Sequence, residues 1–134
     1  MATTKLSFQS TAAASIITDT DSDATPEANV NTGAGVVLQI VIDNSGNTHG
    51  VTSVFWDRTT TVTFAAGPWD VEPDNCFYAP ASTKQTFVFP QGLKFGTGIT
   101  FATTQGASKN KGSAPTVDVK IELMLAATDL HATP

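Results

Sequence analysis

The clearest pattern in the chain lies near its end, where Val117, Val119, Ile121, Leu123 and Leu125 fall on one face and Asp118, Lys120 and Glu122 on the other. A period of two with one apolar face predicts a half-buried strand. Gly98 to Thr104 repeats the pattern, with Ile99 and Phe101 opposed to Thr100 and Thr104, and a loop of Gly, Ser, Lys and Pro joins the two segments. They are expected to form an antiparallel pair. Val36 to Ile42 is apolar in both phases except at Gln39. That predicts a central strand covered by a second sheet on one side and a neighbouring subunit on the other. It stops at Asp43-Asn44-Ser45-Gly46-Asn47, residues that tolerate left-handed backbone or bond their own main chain, so a turn is expected, with Val51 to Asp57 returning as the next strand.

Thr59 to Phe64, Asn75 to Tyr78 and Lys84 to Phe89 supply further short β-rich runs, separated by Gly67-Pro68, Pro73-Asp74 and Pro80-Ala81-Ser82, and Pro90 is expected to end the last of them. Adding Leu6 to Phe8 and Ala13 to Ile17 gives about eight strands at short spacing. The expected fold is all-β, an antiparallel two-sheet sandwich of jelly-roll-like design. At 134 residues the chain predicts a single domain. Residues 19–32 are polar and acidic, contain Pro26 and lack apolar periodicity, which predicts a long surface loop. Residues 105–115 read as a second, flexible loop and 127–134 as a tail, with room for one helical turn over Ala126 to His131.

Composition narrows the partners. Hydrophobic content is 40% and charged content only 14%, so neutral polar side chains, threonine prominent among them, must cover the surface, and threonine suits a pleated strand. The net charge is -5 and the few cations are scattered, so no phosphate-binding stripe and no nucleic-acid partner are expected. Cys76 is the single cysteine; an internal disulfide and a multi-cysteine zinc site are excluded, and a small buried hydrophobe is the plain expectation. No apolar run reaches signal-peptide or membrane-spanning length, which predicts synthesis in a cytoplasm and no membrane partner.

Three sets of residues invite chemistry. Asp19, Asp21 and Asp23 alternate as calcium ligands do, but Ala24 and Val30 stand where an EF-hand loop needs glycine and glutamate, so a solvated acidic loop is expected. His49 and His131 lack the spacing of a paired metal site, and Cys76 with His49 carries no nucleophile-and-base motif. No metal, cofactor or enzymatic activity is therefore expected. Trp56 and Trp69, with Tyr78, Asp57 and Asp70 nearby in sequence, offer a sugar-stacking platform, although a tryptophan inside a strand ordinarily belongs to the core.

The stretch Phe87-Val88-Phe89-Pro90-Gln91-Gly92-Leu93-Lys94-Phe95-Gly96-Thr97-Gly98-Ile99 resembles a segment of the small β-sandwich structural proteins of tailed bacteriophages, especially marine ones. Earlier parts are similar too: an acidic Pro-containing loop at Asp23 to Asn29, a strand at Val36 to Ile42, an Asn-rich turn, and a strand ending in Phe55-Trp56-Asp57. Mechanically, Gly92 and Gly96 permit turns, Leu93 and Phe95 alternate with Lys94 as core anchors, and Gly98 allows close approach to a neighbouring segment. The resemblance implies a non-enzymatic virion component assembled in the host cytoplasm. It would be either a head decoration protein bound to the major capsid protein or a neighbouring collar, tail or fibre part, and family analogy implies a homotrimer. The expected contact segments are the 19–32 loop, with Asp19, Asp21 and Asp23, and the 105–115 loop, with Lys109 and Lys111 turned toward acidic neighbours. The alternative is a carbohydrate-binding or receptor-recognition module that uses Trp56 and Trp69.

Overall fold

A computed structural model describes residues 3–7, 13–62, 69–108 and 112–126. They form eight strands and no helix: β1 (Thr3–Ser7), β2 (Ala13–Ser22), β3 (Gly35–Asp43), β4 (Val51–Asp57), β5 (Asn75–Ala79), β6 (Lys84–Phe95), β7 (Ile99–Gln105) and β8 (Val119–Ala126). Two antiparallel sheets result, a five-stranded one in the order β1-β2-β8-β3-β6 and a three-stranded one in the order β5-β4-β7. The alternation in β8 is the pattern that places it: Val119, Ile121, Leu123 and Leu125 are buried while Lys120 is exposed. They join Ile17, Val37, Ile40, Ile42, Val51, Phe55, Phe95, Ile99 and Phe101 in the core between the sheets. At its centre Phe55 stacks on Phe101, centroids 5.4 Å apart, and meets Phe77 edge-on.

Pairing differs from the expected hairpins. β7 and β8 lie in opposite sheets: β7 runs beside β4 from Ile99↔Asp57 to Gln105↔Val51, whereas β8 sits between β2 and β3. The connection after β7 therefore crosses from one sheet to the other. So does the Asn-rich turn, since β3 belongs to the five-stranded sheet and β4 to the three-stranded one. Alternation shows which face of a strand is buried, not which strand lies alongside, and both β7 and β4 are buried on two faces. The outer face of the three-stranded sheet carries a second apolar cluster, Val54, Trp56, Val62, Trp69 and Ala102. In β3, Val36 and Val41, outside the main core cluster, are buried within the single chain.

The strand boundaries shift as well. Pro90 does not end β6, which continues to Phe95. Between Val37↔Leu93 and Gln39↔Val88 it bows out through Phe89, Pro90, Gln91 and Gly92, the last with φ 82°. A proline, which has no N–H, is tolerated at such a bulge on an edge strand. β2 extends past Ile17 to Ser22, so the polar loop begins four residues later than its composition suggested. Thr59 to Val62, the described part of the expected run there, is not strand.

A set of buried amides ties the three connections at one end of the sandwich. Asn44 donates its Nδ2 to the carbonyls of His49 (2.9 Å), Pro80 (3.1 Å) and Ala79 (3.3 Å). The Nδ2 of Asn47 donates to Asn44 Oδ1 and to the Val117 carbonyl, both at 2.8 Å, and its Oδ1 accepts the Val117 N–H at 2.7 Å. The β3–β4, β5–β6 and β7–β8 connections thus share one hydrogen-bonded hub.

Candidate functional site

The polar stretch after β2 is a strap laid along β7. Thr103 N–H donates to the Asp23 carbonyl at 2.8 Å, Glu27 and Phe101 exchange two backbone bonds at 2.8 and 3.1 Å, and Val30 N–H donates to the Ile99 carbonyl at 2.9 Å. Asn29 N–H adds a bond to Thr100 Oγ1. Residues 23–30 thereby cover the β7 edge that β4 leaves open, and their backbone groups are spent within the chain. Among the expected contact residues, Asp19 is fully buried in β2 rather than presented on a loop. Asp21 sits in the bulge between Asp19 and Ser22, half-buried, and Asp23 opens the strap. Lys109 and Lys111 lie outside the described residues.

Burial gives this acidic corner an electrostatic character that a solvated loop would not have. Oδ1 of Asp19 accepts the Asp21 N–H at 3.1 Å, while Oδ2 is buried with no donor in reach; the polar group facing this carboxyl is that of Asp21. Loss of hydration, then the Asp21 carboxyl and the Glu27 charge, push the Asp19 carboxyl up to about 8. Glu27, whose Oε2 is likewise buried without a partner, is raised by burial and by Asp21 and Asp23. Beside them a chain of buried hydroxyls, Ser22 to Thr103 to Ser53, with both links at 2.8 Å, connects β2, β7 and β4. Among the described residues no group of three or more His, Cys, Asp and Glu side chains is arranged to hold a metal ion.

The expected aromatic platform is corrected by packing. Trp56 is 0% and Trp69 7% exposed; the rings meet edge-to-face with centroids 4.9 Å apart, and Trp56 Nε1 donates to the Val71 carbonyl at 2.8 Å. Neither ring offers a face for a pyranose, because both are buried in a second core with Val54, Val62 and Ala102. Asp57 is taken up as well. Burial would raise its carboxyl, but the N–H groups of Thr97, Gly98 and Gly96, at 2.7 to 3.2 Å, outweigh this and hold it below the usual carboxylate range. Gly98 earns its place here, since a Cβ would stand 2.7 Å from the Arg58 carbonyl oxygen.

Cys76 is exposed, because β5 points its alternate residues outward; it pairs with Val54, well along the strand from the turn that holds His49. His49 lies against Thr116 Oγ1 at 3.1 Å and the Gly50 carbonyl at 3.3 Å. Cysteine and histidine are therefore not brought together as a nucleophile and base.

The opposite flank stays open. β6 pairs only with β3, so its outer edge carries unpaired backbone groups among the described residues. Inside it, Phe77, Phe87, Phe89 and Leu93 pack against the main core while remaining half-buried, and Phe77 stands 5.1 Å from Phe87 and 5.7 Å from Phe89. Outside, Val88 is 61% exposed and Tyr78 43%. The bulge adds an open hollow of about 400 Å3 lined by Val88, Phe89, Pro90, Gln91 and Gly92. In the sequence the signal for this edge, a proline inside an alternating run, reads as a strand end. Comparison with known protein families, with curated proteins and with solved structures finds no match.

Proposed function

We propose that the chain is a non-enzymatic structural protein of a tailed-phage virion, a head decoration protein that grips the major capsid protein through the β6 edge and the flank beside it. The observation that carries this reading is a strand edge left unpaired among the described residues, with the exposed side chain of Val88 beside it, on the segment that bears the resemblance. An edge supplies backbone hydrogen bonds to an added strand, and apolar side chains beside it supply burial and register. The other long edge of this kind, on β7, is already covered by the strap. Assembly at a local symmetry axis favours a trimer, three copies of the 14.0 kDa chain.

The test is sedimentation of the purified protein with tailed-phage heads stripped of decoration protein, beside light scattering of the protein alone. Co-sedimentation that is lost in Val88→Lys supports the reading. Failure to bind heads, with retention on a glycan array, would replace it with carbohydrate recognition at a surface other than the buried tryptophans.

A further inference from the structure

We infer that the strap at residues 23–30 is a proton-latched cover: it stays on the β7 edge while Asp19, buried in the strand that leads into it, and Glu27, on the strap itself, hold protons, and it lifts when they ionise.

Geometry carries the argument. The strap is joined to β7 almost entirely by backbone bonds at Asp23, Glu27 and Val30, with one further bond from Asn29 N–H. Two carboxyls at the strap have a buried oxygen with no donor, Asp19 Oδ2 in β2, four residues before it, and Glu27 Oε2 on the strap itself. A neutral carboxyl can supply the missing donor itself, through its own O–H; an ionised one cannot, and leaves a charge where water does not reach. The side chains around Asp19 are acidic or neutral. Along β2 the facing group is the Asp21 carboxyl, and from the strap Asp23 and Glu27 add negative charge. Across the sheet the residues opposite Asp19 are Thr3 of β1 and Ile121 of β8, neither titratable, and from β7 the contact is Thr103. Lys5, the cation at this corner, is bonded to Asn31 Oδ1 at 2.7 Å, and the amino-terminal charge acts on Glu27 in the opposing sense.

Both carboxyls are displaced upward, Asp19 to about 8, so the charge on Asp19 arrives at the strap near neutral to mildly alkaline pH and not in acid. Repulsion among Asp19, Asp21, Asp23 and Glu27 then acts on a segment held to β7 by backbone bonds and anchored to the core through Val30. Its release frees the N–H groups of Phe101 and Thr103 and the carbonyls of Ile99 and Phe101 for another strand.

The experiment is residue-resolved amide hydrogen exchange on the intact chain between pH 6 and pH 9, corrected for the intrinsic rise of exchange with pH. Phe101 and Thr103 N–H groups report the strap; Ala102 and Thr104, alternating with them, face β4 and serve as internal controls. The expected result is an opening of Phe101 and Thr103 that grows about tenfold or more relative to the controls, the factor carried by one unit of pKa displacement. This growth is expected to be absent in Asp19→Asn and reduced in Glu27→Gln. A ratio that does not change with pH overturns the inference, and so does a ratio that changes equally in both variants. If Asp19→Asn fails to fold, the unmodified chain and Glu27→Gln decide the question.

Discussion

Replacing Asn47 by alanine tests the hub that joins three connections at one end of the sandwich. The side chain makes three hydrogen bonds, two donated from Nδ2 and one accepted by Oδ1, all between 2.7 and 2.8 Å, and the residue is buried. A buried hydrogen bond contributes about 1 kcal/mol net, and an orphaned buried partner costs about 1 to 3 kcal/mol. Val117 is half-exposed, so water recovers part of what its N–H and carbonyl lose, whereas Asn44 is buried and its Oδ1 is left without the donor it had. The expected loss is therefore about 3 kcal/mol, which for a domain of this size lowers Tm by roughly 10 to 15 °C. Asn47→Asp is the sharper variant: it keeps the acceptor for Val117 N–H but sets an oxygen against two oxygens, Asn44 Oδ1 and the Val117 carbonyl. It is expected to lose at least as much as Asn47→Ala at neutral pH. The assay is urea unfolding followed by circular dichroism, with Asn44→Ala and the double variant completing a cycle whose coupling should exceed about 0.5 kcal/mol. A loss below about 1 kcal/mol for Asn47→Ala, or an aspartate variant more stable than the alanine one, would refute the reasoning.

Stability against pH follows from the displaced carboxyls. The folded value of Asp19 lies near 8 against an ordinary 3.8, so between these values the folded state holds a proton that the unfolded chain lacks; this contribution makes stability fall with rising pH across that window, by up to about 1.4 kcal/mol per unit, and Asp19→Asn should flatten the slope in urea titrations at pH 5 to 9. Asp43, lowered first by its bonds from Ser45, and Asp57, lowered by three backbone donors against the pull of burial, act in the opposite sense: their support is present above about pH 4 and is lost as acid protonates them, visible as a falling Tm in acid that Asp57→Asn reduces. Gly98→Ala is expected to cost about 1 to 3 kcal/mol, because its Cβ meets the Arg58 carbonyl, which is backbone and yields little; unchanged Tm would contradict the close approach. Trp56→Ala should cost about 3 to 5 kcal/mol and should leave no glycan affinity to lose, so loss of sugar binding without unfolding would reinstate the platform.

What could be read from the sequence and what could not divide along a physical line. β8 was legible because its alternation is the direct trace of one buried face, and eight strands in two antiparallel sheets followed from such runs and the turns between them. The partners of β7 and β4 were not, since these strands are buried on both faces and their pattern points to no side. The signal for the second core was present in Val54-Phe55-Trp56, apolar in consecutive positions, yet the residues that join Val54 and Trp56 there, Val62 and Trp69, lie outside the strands, although the Thr59 to Phe64 run reads as β-rich. Asp19 was misplaced for a related reason. An alternating run of Asp and Thr has the composition of a loop, and nothing local marks one of its carboxyls as buried.

The strap shows why the missing part concerns the candidate site most. Hydrophobic periodicity records where side chains go. The strap docks through its main chain, and a segment that pairs by N–H and carbonyl groups can carry nearly any side chains, as Asp23, Glu27 and Asn29 demonstrate. The edge of β6 is the same case from the other side: what makes it available is a row of backbone groups left unpaired among the described residues, and its one sequence mark, Pro90, reads equally as a strand end. Edges and their covers are thus written in the backbone, where composition and period are silent, and β-sandwiches meet partners through edges. It follows that the residues to probe first are the few whose side chains depend on the edge state: Val88 beside the open edge, and Asp19 and Glu27 at the strap that closes the other.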